Sequence, residues 1–568
     1  MRTDPLRHKF YTRAKLQTLA AIALVTLPAI GAHAVMTISP AATMHVTCSG
    51  STCTATAPAA ILNMTDLQNM LASGSVTVAS GAKAKSIVVA TGLAWSSASS
   101  LTLDGYTSIT VSQPITVGGP GGLTIITNDG GTGGSFSVVG SNGRVTFVGL
   151  SNALVINGES YVLVNTLAML VSDIAANPAG HFALAKNYNA KSDGTYASSP
   201  IPSFTGTFEG LGNSISNLSI NDPTANQMVG LFAQLGTDSG VPGAIVVHLR
   251  LPNVSVAAEN SNVGALAGLS YNSFIRDVRV GGSVTLTVTQ NVAASAGGLL
   301  GISEWTGNTG ASFGTLENSS SSASVSANGT PGGPYASVGG LVGEIGGAGA
   351  LITTSHSTGV IYGVSNSAVG GAVGTLTGST IQDSYATGNV TSDSGSPGGL
   401  VGVANTNSSI EGSFATGAVN TTATECMCSA GGLAGQFVSD TTVSNSYATG
   451  SVTSGTDSNV GGLVGYDGGG GTYQYSYATG LLTAGTNGVI GGVIGRGTSG
   501  PVATDVYWDT ETTGTSQPIG ANGNASGMVG PTTAQLQSGL PVGFNPTIWG
   551  ENASINGGLP YLLALPPP

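Results

Sequence analysis

Side chains able to do chemistry are scarce in this 568-residue chain, where Asp, Glu, Lys and Arg together make up 7% of the sequence. The densest carboxylate group is Asp505, Asp509 and Glu511, set around Val506-Tyr507-Trp508. Two such carboxylates can act as the acid and base of a glycosidase, and three can contribute to a calcium site. The Gly-Gly-x-Gly-x-Asp pattern of calcium repeats is absent, however, and an exposed polar strand accounts for the group equally well. Asp129 and Asp467 stand in glycine-rich turns, where a carboxylate accepts bonds from backbone N–H groups. None of His45, His181, His248 or His356 lies in a His-Glu-x-x-His zinc site, and Gly468 to Gly471 is not followed by the Gly-Lys-Ser/Thr of a phosphate loop. Nothing positions a Ser-His-Asp constellation. The reading is therefore of a non-enzyme with no catalytic group, metal or cofactor.

The cysteines form two local pairs, Cys48 with Cys53 and Cys426 with Cys428. A Cys48–Cys53 disulfide suits an exported protein. Neither pair has CxxC spacing, which argues against zinc. Whether Cys426 and Cys428 pair is open at this stage.

A third set of candidates is aromatic. Tyr385, Phe414, Tyr447 and Tyr477 occupy the second position of a recurring Ser-Tyr-Ala-Thr-Gly element, and Tyr507 follows at the same spacing. His356 takes that position in Ser355-His356-Ser357-Thr358-Gly359. Stacked in register, such rings either stabilise parallel strands or present a ligand stripe, since flat rings suit sugar faces. Both readings remain open.

The elements that must position these residues are repeats. A near-repeat of Gly-Gly-Leu-x-Gly starts at Gly264, Gly297, Gly339, Gly370, Gly398, Gly431, Gly461 and Gly491, at intervals of 33, 42, 31, 28, 33, 30 and 30 residues. Self-similarity at this period marks a stacked solenoid in which no unit buries a core alone. The chain holds 89 glycines, but disorder does not explain Leu and Val returning in register. Within Ile381 to Val390, alternation places Ser384, Ala386 and Val390 on one face and Tyr385 and Thr387 on the other. The small residues and Val are expected inside and Tyr outside, with the Leu of each glycine element in the core and its glycines permitting a corner.

Arg2, Arg7, Lys9, Arg13 and Lys15 precede an apolar run from Leu19 to Ile30, and Ala32-His33-Ala34 fits a cleavage site. Residues 1–34 thus read as a secretion signal, with no membrane span after cleavage. Its removal takes five of 14 basic and one of 26 acidic residues, leaving nine and 25 and a net charge of −16. That balance excludes nucleic acid as an expected partner. Residues 35–163 read as N-terminal solenoid coils of short alternating strands. A lead-in unit over 164–232 contains a helix over 164–177, capped by Asn165 or Thr166. The repeat array follows over 233–515, with a surface insertion near Glu304 to Thr315, and an atypical capping segment over 516–568.

Val338-Gly339-Gly340-Leu341-Val342-Gly343 and Ser446-Tyr447-Ala448-Thr449-Gly450 resemble the GLUG motif of bacterial surface proteins, among them filamentous-haemagglutinin-type adhesins. The resemblance runs over roughly 164 to 515 and includes Phe204 to Gly210 and Ile215 to Leu218. It implies an all-β fold, a right-handed parallel β-helix, at a bacterial surface. No Asn-Pro-Asn-Leu-type motif of two-partner secretion is present near the N-terminus, and repeats fill the C-terminal half, so the resemblance identifies no secretion partner. The expected function is adhesion: a secreted or cell-surface solenoid binding a host or neighbouring-cell ligand, carbohydrate among the candidates. A polysaccharide-active β-helix enzyme and a ligand-free spacer are the alternatives.

Overall fold

The computed structural model describes residues 34–568 apart from 240–242, 291, 307–313, 330–334, 365, 424–425 and 499. The expected secretion signal and most of the expected insertion lie outside the described residues. The chain is an all-β parallel β-helix. Its N-terminal coils have three faces, seen in Ile109–Val111, Ile115–Val117 and Leu123–Ile126 of one coil. Each strand reads apolar-polar-apolar and buries the apolar positions. An unanticipated helix, Met64–Ser73, takes the place of a second-face strand in the first coil. Asn63 caps it by accepting from Thr65 N and Asp66 N, and Leu67 and Leu71 are buried. Gln68 Nε2 donates to Ala94 O (2.9 Å) on the edge strand Leu93–Trp95, so the helix satisfies part of an otherwise open sheet edge.

The expected lead-in helix spans Leu167–Ala176, with Thr166 accepting from Met169 N at 3.2 Å and Leu167, Leu170 and Ile174 buried. It opens the second solenoid segment, whose coils have four faces. One coil runs Thr380–Gln382, then Tyr385–Ala386 with Val390–Ser392, then Gly395–Gly398, then Val401–Asn405, and returns at Ser408–Glu411. Repetition builds parallel sheets of 12, 18, 9 and 11 strands. The two segments join directly: Val145 N donates to Leu211 O (2.9 Å) and Phe147 N to Ala185 O (2.7 Å).

Register explains the repeat residue by residue. The residue before each element serine turns the chain with positive φ, between 46° and 55° at Asn318, Thr354, Asp383, Gly412, Asn445 and Tyr475. Asn, Asp and Gly tolerate that conformation best. The serines then form a ladder. The hydroxyls of Ser355, Ser384, Ser413, Ser446 and Ser476 each accept from the backbone N–H of the serine one coil earlier at 3.1–3.2 Å. Each donates to the carbonyl two residues before it at 2.7–2.9 Å. A serine is small enough for this buried corner and is both donor and acceptor.

Ser384, Ala386 and Val390 are buried, as is Leu at 266, 299, 341, 400, 433 and 463. The glycines stand at the expected corner, between two faces, and are required there by close packing. A Cβ on Gly371, Gly399, Gly432 or Gly462 would lie 2.0–2.2 Å from the carbonyl oxygen of the matching glycine in the next coil, and 2.7–2.9 Å from Cβ of Ala386, Ala415, Ala448 or Ala478. None of the four has positive φ. Close approach of backbone and opposing alanine, with no unusual dihedral, demands glycine there.

Two core substitutions follow. Gly432→Ala should destabilise by about 1–3 kcal/mol through overpacking. Ser413→Ala should cost about 1–3 kcal/mol by orphaning the Ser384 N–H. Chemical denaturation of each variant checks both, and unchanged midpoints would refute this account of the motif.

Candidate functional site

Backbone pairing puts the aromatic candidates in one column, with Tyr385 opposite Phe414, then Tyr447, Tyr477 and Tyr507. Centroids are 4.9 Å apart for Tyr385–Phe414, 4.8 Å for Phe414–Tyr447 and 5.1 Å for Tyr447–Tyr477, with planes within 10° of parallel. His356 extends the stack, 4.6 Å from Tyr385 at 2°. The spacing is that of hydrogen-bonded strands, about 4.8 Å, so the stack is a direct product of register.

The rings project away from the solenoid core, but most are not exposed. Phe414, Tyr447 and Tyr477 have no accessible surface and Tyr507 has 7%. The chain beyond residue 531 returns along this flank and packs Leu536, Phe544, Trp549 and Leu562 onto the column. Trp549 lies 6.1 Å from Tyr447 and 5.9 Å from Tyr477, and Phe544 meets Tyr507 edge-on at 5.6 Å. Tyr477 Oη donates to Pro560 O (2.6 Å) and accepts from Asn556 Nδ2 (2.8 Å), while Tyr507 Oη donates to Val542 O (2.9 Å). A ligand stripe running the whole column is thereby corrected: aromatic area of this size is covered by the chain itself. His356 and Tyr385 remain half-exposed.

The carboxylate group near Tyr507 anchors that cover. Asp509 is fully buried, accepting from Glu511 N, Thr512 N and Thr533 Oγ1 (2.6 Å), and Glu511 Oε2 accepts from Thr533 N at 3.0 Å. Asp467 behaves as read from its turn. It is buried and accepts from the backbone of Gly469, Gly470 and Gly471 and from Tyr473 Oη. Both cysteine pairs, Cys48–Cys53 and Cys426–Cys428, are disulfides, and no described cysteine is free.

One charged cluster escaped the sequence reading. His248, buried in the junction, has Nδ1 at 2.9 Å from Glu209 Oε1 and Nε2 at 3.3 Å from Asp277 Oδ2. The Asp277 contact is an ion pair without hydrogen-bond alignment. Glu209 also accepts from Leu211 N, and Asp277 from Asn318 Nδ2. Burial alone would lower the imidazole's pKa, but the two carboxylates outweigh it and lift it to about 9. Arg250 reaches across the junction to the carbonyls of Gly140, Ser141 and Gly143, and Arg276 to that of Phe136. The available signal was His248-Leu249-Arg250 aligning with Asp277-Val278-Arg279 in successive coils of a charge-poor array. No group of three or more His, Cys, Asp or Glu side chains among the described residues is arranged to hold a metal ion.

Comparison with known proteins agrees with the motif. The family model described as the GLUG motif matches residues 365–391, one repeat carrying both the glycine and the Ser-Tyr-Ala-Thr-Gly elements. Halomucin of Haloquadratum walsbyi is 47% identical over 81 residues, a stretch equal to 14% of this chain and 1% of halomucin. Among solved structures, an IgA1 protease aligns at a TM-score of 0.34 and 21% identity, covering 55% of this chain and 21% of that one. An immunoglobulin A1 protease candidate from Bacteroides ovatus aligns at 0.29 and 15%, covering 72% and 93%. Neither structural likeness bears on activity.

The column and the junction each generate a test. Tyr447 Oη is buried with no hydrogen-bond partner, so Tyr447→Phe should be neutral or stabilising. Tyr477→Phe loses both hydroxyl bonds and should cost about 1–2 kcal/mol; equal effects in denaturant titrations would refute the distinction. Because the His248 pKa is raised on folding, its stabilisation is complete below about pH 6.5 and fades as pH rises through about 9. Thermal melts between pH 6 and 10 should show that loss, and His248→Gln should remove it.

Proposed function

We propose that this chain is an exported, surface-exposed β-solenoid that binds a ligand on host or neighbouring cells, with carbohydrate as the ligand class. The observation that carries the reading is the change along the aromatic column. Its C-terminal rings are sealed by the chain's own segment, whereas His356 and Tyr385, at the edge of that cover, keep part of their surface in contact with water. Rigid, pre-ordered rings bind with little entropic cost, and carbohydrate recognition suits them. Export is supported by the N-terminal signal pattern and by two formed disulfides, which persist in oxidising compartments. The GLUG resemblance supports a surface location.

The polysaccharide-active alternative loses its best carboxylates to structure, because Asp509, Glu511 and Asp467 hold backbone and threonine donors. A passive spacer is the remaining alternative.

Two measurements test the proposal. Antibody labelling of intact cells should detect the chain outside; labelling only after the outer membrane is breached would overturn adhesion. The double variant His356→Ser, Tyr385→Ser loses the two partly exposed rungs, at about 0.5–1.5 kcal/mol per stacked pair. It should remain folded by circular dichroism while cell or glycan binding falls at least tenfold. Unchanged binding would place the ligand elsewhere, and new reducing or unsaturated ends released from a polysaccharide would establish an enzyme.

A further inference from the structure

The aromatic column continues past its last ring. Opposite His356 on the N-terminal side is Ser320, opposite Ser320 is Arg279, and opposite Arg279 is Arg250. The ring stack therefore stops at a serine, and an arginine follows two rungs beyond His356. Two rungs amount to about 9.6 Å at the strand spacing. One face of the imidazole is covered by Tyr385, and no described aromatic ring stacks on the other. Ser320 fills little of the interval, so a slot about one ring thick is left between the imidazole face and Arg279.

Charge singles out the same place. Of the nine basic residues that follow the signal pattern, Arg144, Arg250 and Arg279 gather here. They lie close enough that Arg279 and Arg144 both disfavour the charge on Arg250, though burial is the larger cause of its lowered pKa. No described carboxylate forms an ion pair with any of the three. Arg279 is exposed, and its guanidinium, unlike those of Arg250 and Arg276, is not engaged with a main-chain carbonyl of the described protein. Two arginines on adjacent rungs repel, and a chain so poor in cations does not otherwise place them together. Burial, and then Arg279, hold the His356 pKa below its usual value, so the ring offers an uncharged face at neutral pH. Exposed Ser322 and Thr358 flank the slot with hydroxyls.

We infer that this slot binds an acidic sugar residue, the ring seated over Ser320 against the His356 face and its carboxylate paired with Arg279. A guanidinium offers a planar fork of donors that matches a carboxylate, and the C–H face of a pyranose packs on a flat ring. The inference deepens the proposed carbohydrate binding by naming the ligand as a uronate-bearing polysaccharide, and it rests on that reading. Outside these three arginines the chain after the signal pattern has 25 acidic residues against six basic, which repels such a polymer and confines it to this patch.

The test is calorimetric titration of the full chain with polygalacturonate oligomers, using neutral dextran oligomers and a DNA oligonucleotide as comparisons. Polygalacturonate should bind, dextran should not, and affinity should fall severalfold between low and high salt, as an arginine–carboxylate contact requires. Arg279→Gln should weaken binding at least tenfold with an unchanged melting temperature. Ser320→Tyr should extend the stack into the slot, abolishing binding while leaving the melting temperature equal or higher. Binding that survives both substitutions, or that favours dextran equally, would overturn the inference, as would DNA binding as tightly as the uronate. If polygalacturonate fails while cell binding still depends on His356 and Tyr385, the acidic-sugar assignment falls and the adhesin reading stands. If both fail, the adhesin reading falls with it.

Discussion

In-register parallel stacking is the constraint on which everything else depends. A residue in one coil meets the residue at the same position in the next coil about 4.8 Å away, so each position must tolerate its own kind as a neighbour. Serine passes, since its hydroxyl accepts from one coil and donates within its own. Tyrosine and phenylalanine pass by stacking. Glycine is required where two coils and an opposing alanine leave no room for a Cβ. Charge fails: two like charges at that spacing repel by about 3 kcal/mol at an effective dielectric near 20. The 7% charged content is what stacking selects.

The features that make this chain a particular molecule are the places where repetition breaks. At the junction, successive coils carry Glu209, His248 and Asp277, and a protonated imidazole between two buried carboxylates replaces the like-with-like rule by alternating charge. Truncating one member of such a set leaves uncompensated buried charge, at a typical cost of about 3–5 kcal/mol. The guanidinium groups of Arg250 and Arg276 use the same break to hold the carbonyls of the N-terminal coils.

The cover over the aromatic column is the second break. Identical coils present an identical flank, and a flank of rings is apolar surface that water disfavours. Leu536, Phe544, Trp549 and Leu562 satisfy it, and Asp509 and Glu511 fasten the start of the segment through Thr533. The same stripe is thereby fully buried where the cover lies and partly exposed where it stops.

The sequence alone determined the solenoid, the inward and outward positions within a repeat, the lead-in helix and the column, because each is a local periodicity multiplied by stacking. Asp467 was also legible, its partners lying within six residues. The helix Met64–Ser73 was not, since its signal is only two leucines four apart and an asparagine cap. Nor was the bridging role of the serines, whose partners lie a coil away. Only the tertiary structure decided which rings face water, because that depends on Trp549 meeting Tyr447 and Tyr477 from 102 and 72 residues along the chain. It alone also brought Glu209 against His248, although the alignment of His248 with Asp277 in successive coils was there to be read. Periodicity shows which face a side chain takes; what packs on that face is a contact between distant segments, and no local pattern encodes it.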